Sequence, residues 1–269
     1  MRRILLMTVL SACVSLMVGQ TKEIHKEFQK YFDKENVQGS FSFYDLKKNK
    51  FIISNEKQFT QEFTPASTFK ICNSLIGLET GVITDEDFVI KWDGVKRRRA
   101  EWNSDQDLKT AYKRSTVPYY QELARRVGGK RMKMWLDKAN YGNRDTSGGI
   151  DKFWLDGGLR ITPQQQLDFL KRLSTNQLPF SRRSVDIVKK IMIEEQTPEY
   201  ILRTKTGWGK QDGKDIGWYV GYVEEKGNAY FFATCIQTVR AQDDFAGKRK
   251  KIARAILSDL RILPAEMKK

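Results

Sequence analysis

The strand-forming stretches of this 269-residue chain lie at its two ends, and that placement limits the possible folds more than any other feature. Near the start, SFSFYDLKKNKFIISN (40–55) alternates around a polar turn and predicts a β-hairpin. Near the end, YILRTKTGW (200–208), IGWYVGYVE (216–224) and AYFFATCIQT (229–238) predict three consecutive strands, the last two joined at EKGN. Residues 64–198 are helical by pattern, punctuated at YGNRDTSGG, DGGLRITP and TNQLPF. Helices are also expected at both ends: around Ile24, Phe28 and Phe32, which share an i, i+4, i+8 stripe, and over about 246–261. The economical arrangement is an α/β fold of the α+β type, in which a central antiparallel sheet built from both chain ends is flanked by the terminal helices, with the helical block packed alongside. No repeat or long linker divides the chain, so residues 20–269 read as one domain, with a sheet subdomain (20–63 and 199–269) and a helical subdomain (64–198). That length buries a sizeable core without disulfide support.

The opening residues, MRRILLMTVLSACVSLMVGQ, place two arginines before an apolar run and a small-residue zone, the pattern of a signal peptide over residues 1–19. The expectation is an exported, periplasmic protein; LSAC at 10–13 offers the alternative of lipidation at Cys13. No later segment is apolar for long enough to span a membrane, so no stable membrane insertion is expected after the leader is removed. Cys72 and Cys235 lie in apolar runs and read as buried hydrophobes, and no Cys or His cluster has metal-ligand spacing, so no metal is expected. Net charge is +15, and loss of Arg2 and Arg3 with the leader leaves +13. The basic knots KRRR (96–99), KRMK (130–133) and KRKK (248–251) come without any nucleic-acid-binding signature. They read as solvated surface able to attract anions, with no nucleic-acid partner.

The chemistry concentrates at FTPASTFKICNS (63–74). A serine hydroxyl needs a base, and the one histidine, His25, lies in the N-terminal segment. The helix expected to begin near Thr64-Pro65, with a cap residue there followed by proline at its first turn, and to end at Gly81 is apolar on nearly all sides, hence buried. Residues three apart share a helix face, so Ser67 and Lys70 point the same way, and burial disfavours a charged amine. Such a lysine can be neutral at pH 7 and act as a base, although S-x-x-K alone also fits an ordinary helix surface.

The ordered set of S-x-x-K, Ser115-Thr116-Val117 and Lys205-Thr206-Gly207 resembles the penicillin-recognising serine enzymes. WDG (92–94), PYYQELARRVG (118–128), YGN (141–143) and FWLDGGLRIT (153–162) extend the likeness from about residue 22 to the end. The sequence resembles a class D, oxacillinase-type β-lactamase, and Ser-x-Val separates it from relatives carrying S-D-N or Y-x-N. The resemblance implies the β-lactamase/transpeptidase-like fold, hydrolysis of penicillin-type β-lactams through an acyl-enzyme on Ser67, and a CO2-derived carbamate on Lys70 as base, with no other cofactor. It also implies a Trp154 N–H donor to that carbamate, a proton relay through Ser115 beside Lys205, and an oxyanion site of the Ser67 and Trp208 backbone amides. Val117 and Leu155 become apolar walls, and Thr206 and Arg249 take the substrate carboxylate, with Lys248 and Lys250 as rivals to Arg249. The partner expected is a small β-lactam, the assembly a monomer or homodimer. The alternatives are a non-hydrolysing β-lactam sensor domain and a penicillin-binding protein.

Overall fold

A computed structural model describes residues 19–239 and 244–264, so most of the expected leader, with Cys13, lies outside the described residues. Among the described residues seven strands form one sheet: β1 (Thr21–Ile24), β2 (Gln38–Asp45), β3 (Lys50–Ile53), β4 (Ile193–Gln196), β5 (Tyr200–Gln211), β6 (Lys214–Glu225) and β7 (Asn228–Thr238). Their order is β1-β3-β2-β7-β6-β5-β4. The hairpin and the three late strands predicted from sequence are present, and β2 pairs with β7 from Gln38↔Gln237 to Asp45↔Tyr230, which makes both chain ends one sheet.

The helices are α1 (Gln29–Lys34), α2 (Glu56–Phe59), α3 (Lys70–Glu79), α4 (Leu108–Lys113), α5 (Val117–Val127), α6 (Gly129–Ala139), α7 (Pro163–Ser174), α8 (Arg182–Ile191) and α9 (Phe245–Asp259). The central strands of the sheet are buried on both faces. Phe28, Phe32, Phe41, Tyr219, Ile252 and Ile256 pack between it and α1 and α9. Phe69, Leu75, Trp154, Trp218 and Tyr222 belong to the larger core on the helical side. Local chemistry sets the helix ends: Thr162 and Gln165 form a reciprocal capping box with Pro163 at the first position of α7. Gly81, at φ +68, follows the end of α3 in a conformation that a side chain resists.

Four details differ from the sequence expectation. Ile24 is exposed in a strand rather than on a helix stripe, because Thr21–Ile24 pairs along β3 and satisfies its backbone there; only Phe28 and Phe32 turn inward. The β1–β3 pair is parallel, so the sheet is mixed at that edge. The short strand β4 arises inside the block expected to be helical, since the exposed, polar Ile193–Gln196 has no alternation to announce it. Thr64 does not cap the serine helix: its hydroxyl donates to the carbonyls of Trp154 and Leu155, and the helix begins instead as a tight 3-10 turn, Ala66–Phe69.

Candidate active site

Ser67 lies in that 3-10 turn, one residue after Ala66 at φ +47. A non-glycine residue in the left-handed region costs about 1–3 kcal/mol, so surrounding packing must hold the turn in place. One source of that packing is β5. A Cβ placed on Gly207 would meet the Pro65 carbonyl oxygen at 3.0 Å and Thr68 Cγ2 at 3.1 Å, so glycine is what lets this strand lie against the serine turn. The expected K-T-G run thus reaches the nucleophile from the sheet side.

Lys70 is the first residue of α3 and fully buried, with its Nζ 2.8 Å from Ser67 Oγ. Burial, and secondarily the charge of Arg99, lowers it to about 7 from an ordinary value of 10.5. The amine is therefore substantially unprotonated at neutral pH, as the apolar helix implied. Ser115 occupies the left-handed region at φ +54, between α4 and α5, and its Oγ lies 3.1 Å from Lys205 Nζ. Burial also pushes Lys205 well below its usual range, aided by Lys70, Arg249 and Lys250. Each lysine amine lies near an aromatic face, Lys70 at 5.2 Å from the Tyr120 centroid and Lys205 at 5.3 Å from that of Tyr112.

Trp154 is fully buried with its ring 5.4 Å from that of Phe69, and its Nε1 hydrogen has no partner among the described residues. Leu155 and Val117 are half-buried. Thr206 shares a cleft of about 670 Å3 with Tyr112, Glu194, Lys205 and Lys250. Trp208 is 43% exposed at the rim, where its indole donates to Asp215 (2.8 Å) and its ring leans on Phe245.

The basic run KRKK at the start of α9 sorts itself in the fold. Arg249 is buried and donates to the carbonyl of Gly207. Lys248 turns away to the Glu35 carbonyl at 2.8 Å, and Lys250 pairs with Glu194 at 3.0 Å. Arg249 thus reaches the K-T-G segment, and burial, with the charge of Arg99, lowers it to about 10. Sequence alone does not single out Tyr112, whose hydroxyl donates to the Thr204 carbonyl beside Lys205, or Gln166, whose amide donates to the Thr68 hydroxyl beneath Ser67. The one available signal was Tyr112's place three residues before Ser115. Cys72 and Cys235 are buried free thiols, as their apolar runs implied.

Two serines, each against a lysine that its surroundings hold toward neutrality, can deliver and accept protons on either side of one reacting bond. Residues 13–258 match the family described as the penicillin binding protein transpeptidase domain. The chain is 42% identical over 247 residues to β-lactamase OXA-48 of Klebsiella pneumoniae, covering 92% of each protein. A crystal structure of the class D β-lactamase YbXI from Nostoc is 43% identical, with a TM-score of 0.85 over 90% of this chain and 100% of that one. The C-terminal domain of the Bacillus licheniformis BlaR penicillin-receptor is 35% identical, with a TM-score of 0.86 over 91% and 99%.

Proposed function

The chain belongs to the class D β-lactamases, within the penicillin-binding-protein transpeptidase-domain family, and from that premise we propose that it hydrolyses penicillin-type β-lactams through an ester on Ser67. The observation that carries this reading is the buried Ser67–Lys70 contact of 2.8 Å with the amine lowered to about 7.

The Ser67 proton leaves toward Lys70 as Oγ attacks the lactam carbonyl, and the developing oxyanion is met by the backbone N–H groups of Ser67 and Trp208. The C–N bond then breaks, and the nitrogen takes a proton through Ser115, in the field of Lys205. Arg249, with Thr206, holds the ring carboxylate. Val117 and Leu155 restrict water at the ester, and a water molecule finally releases the product acid from Ser67.

A carbamate on Lys70 fits the residues present. Only an unprotonated amine attacks CO2, and Lys70 supplies one; a buried anion needs a donor, and Trp154 Nε1 is a buried donor without a partner. When present, that group supplies an anionic base for both proton removals. The buried rings of Phe69, Phe153 and Trp154, packed against one another, would keep bulk water from that group.

The similarity to a penicillin-receptor domain favours one second reading, a sensor that is acylated and does not turn over. Intact-mass spectrometry with benzylpenicillin tests both. The expected result is a transient substrate adduct on the wild type, none on Ser67→Ala, and steady turnover insensitive to EDTA. A stoichiometric burst with no steady state refutes hydrolysis in favour of the receptor.

A further inference from the structure

The KRRR run at 96–99 has no part in the reaction above, and its arginines differ sharply in surroundings. Arg97 is structural: its guanidinium pairs with Asp93 at 2.5 and 2.8 Å, and its backbone is clamped by Asn103. Arg99 is exposed, with no carboxylate of the described residues at ion-pair distance, and its guanidinium carbon lies 5.0 Å from the centre of the Trp102 ring. A stacked guanidinium is engaged through its face, which leaves the N–H groups at its edge free to donate.

Arg99 is also tied to the wall of the active site. It precedes a 3-10 turn, Ala100–Trp102, which Trp102 N closes onto the Arg99 carbonyl at 3.0 Å. Trp102 Nε1 donates to the Arg114 carbonyl at 3.3 Å. Gln106 bridges the Glu101 carbonyl (2.6 Å) and the Thr116 hydroxyl (2.6 Å). Arg114 and Thr116 are the two neighbours of Ser115, so the turn bearing Arg99 is fastened on both sides of the proton-relay serine. The charge of Arg99 reaches the reacting groups, since it lowers both Lys70 and Arg249.

Among the cations around this site, Arg249 is engaged at Gly207 and assigned to the ring carboxylate, Lys250 is paired with Glu194, and Lys70 and Lys205 are driven toward neutrality. Arg99 is a guanidinium with no carboxylate partner among the described residues and no role in the reaction above. We propose that Arg99, stacked on Trp102 at the rim beside Ser115, is a specificity residue that binds a second anionic group, a carboxylate or sulfonate carried on the acylamino side chain of a β-lactam. A dianionic substrate then offsets the repulsion between Arg99 and Arg249, whereas a monoanionic one meets only Arg249. The inference rests on the β-lactamase reaction assigned above.

The test compares benzylpenicillin with its α-carboxy derivative, which differ only by the side-chain carboxylate, on the wild type, Arg99→Ala, Arg99→Lys and Arg99→Glu. An exposed ion pair of this kind is expected to give about a fivefold selective loss of kcat/KM for the α-carboxy substrate in Arg99→Ala. Benzylpenicillin should change less than about twofold; Arg99→Lys should recover part of the preference, and Arg99→Glu should deepen the loss. Raising salt to about 1 M should shrink the wild-type preference toward that of Arg99→Ala, because the Debye length falls to about 3 Å. Equal losses on both penicillins, or none on either, overturn the assignment, as does a preference that survives high salt. Melting temperatures matching the wild type exclude a folding effect at this exposed position. A wild type that hydrolyses neither penicillin overturns the reaction itself, an outcome distinct from a lost preference.

Discussion

Replacing Trp154 with phenylalanine removes the indole N–H donor, together with part of the ring volume, while keeping an aromatic ring against Phe69 and Phe153. In the wild type the Nε1 hydrogen is buried and has no acceptor among the described residues. If its acceptor is a carbamate on Lys70, the lost bond is one to a charged group, for which about 1.5–3 kcal/mol is typical. At about 1.4 kcal/mol per factor of ten, the affinity of the amine for CO2 falls about 10- to 150-fold. The variant should therefore need that much more bicarbonate to reach half-maximal turnover, with release from Ser67 more affected than its acylation. Initial rates across a bicarbonate series in CO2-purged buffer, beside a carbon-13 bicarbonate spectrum, measure the shift. Protonation of Lys70 competes with CO2, so the requirement should steepen as pH falls through about 7. Lys70→Ala should respond to no concentration. A Trp154→Phe enzyme with the wild-type requirement refutes the reasoning, as does a wild type fully active without CO2 at every pH; the neutral amine would then be the base.

Arg249→Ala should lose about 1.5–3 kcal/mol of transition-state stabilisation, roughly ten- to a hundredfold in kcat/KM. Steady-state kinetics should show Lys248→Ala and Lys250→Ala nearly silent, because their amines are engaged at Glu35 and Glu194; the reverse pattern removes Arg249 as the anchor. Burying Lys70 also has a stability signature. Its value drops from 10.5 to about 7 on folding, so between those pH values the native state binds fewer protons than the unfolded chain. The cost is full below about pH 7 and vanishes as pH rises toward 10.5. Lys70→Met in CO2-depleted buffer should therefore raise the melting temperature most at pH 6 and least at pH 10, and a gain that grows with pH contradicts the assignment.

Much of this was legible in the sequence because its signals were local. The hairpin, the three late strands and the last helix each carry their own periodicity, and Ser67 and Lys70 meet because three residues of helix bring them together. What escaped depends on distant partners. β1 is a strand only because β3 lies beside it, and β4 only because β5 does; neither Thr21–Ile24 nor Ile193–Gln196 has a buried face to pattern it. Thr64 reads as a cap until the carbonyls of Trp154 and Leu155, ninety positions away, claim its hydroxyl. Spacing favoured Arg249 over Lys248 and Lys250, but that its side chain meets the Gly207 carbonyl while theirs turn to Glu35 and Glu194 depends on how α9 is rotated against the sheet.

The pairing of β2 with β7 also governs when this molecule can come into being. Gln38 finds its partner at Gln237, nearly the whole described chain away, and the K-T-G strand that abuts the Ser67 turn is itself late in the sequence. Contacts of such large separation must close a long loop before they return any stabilisation, which makes folding slow and concentrates it into one late event. A nascent chain that has emerged only as far as α8 carries its nucleophile and its buried lysine but no sheet to seat them against, and its hairpin has a bare edge. Stopping translation just before β7 should thus yield a protease-sensitive chain that a β-lactam cannot label, whereas completing the last strand and helix should confer resistance and reactivity together.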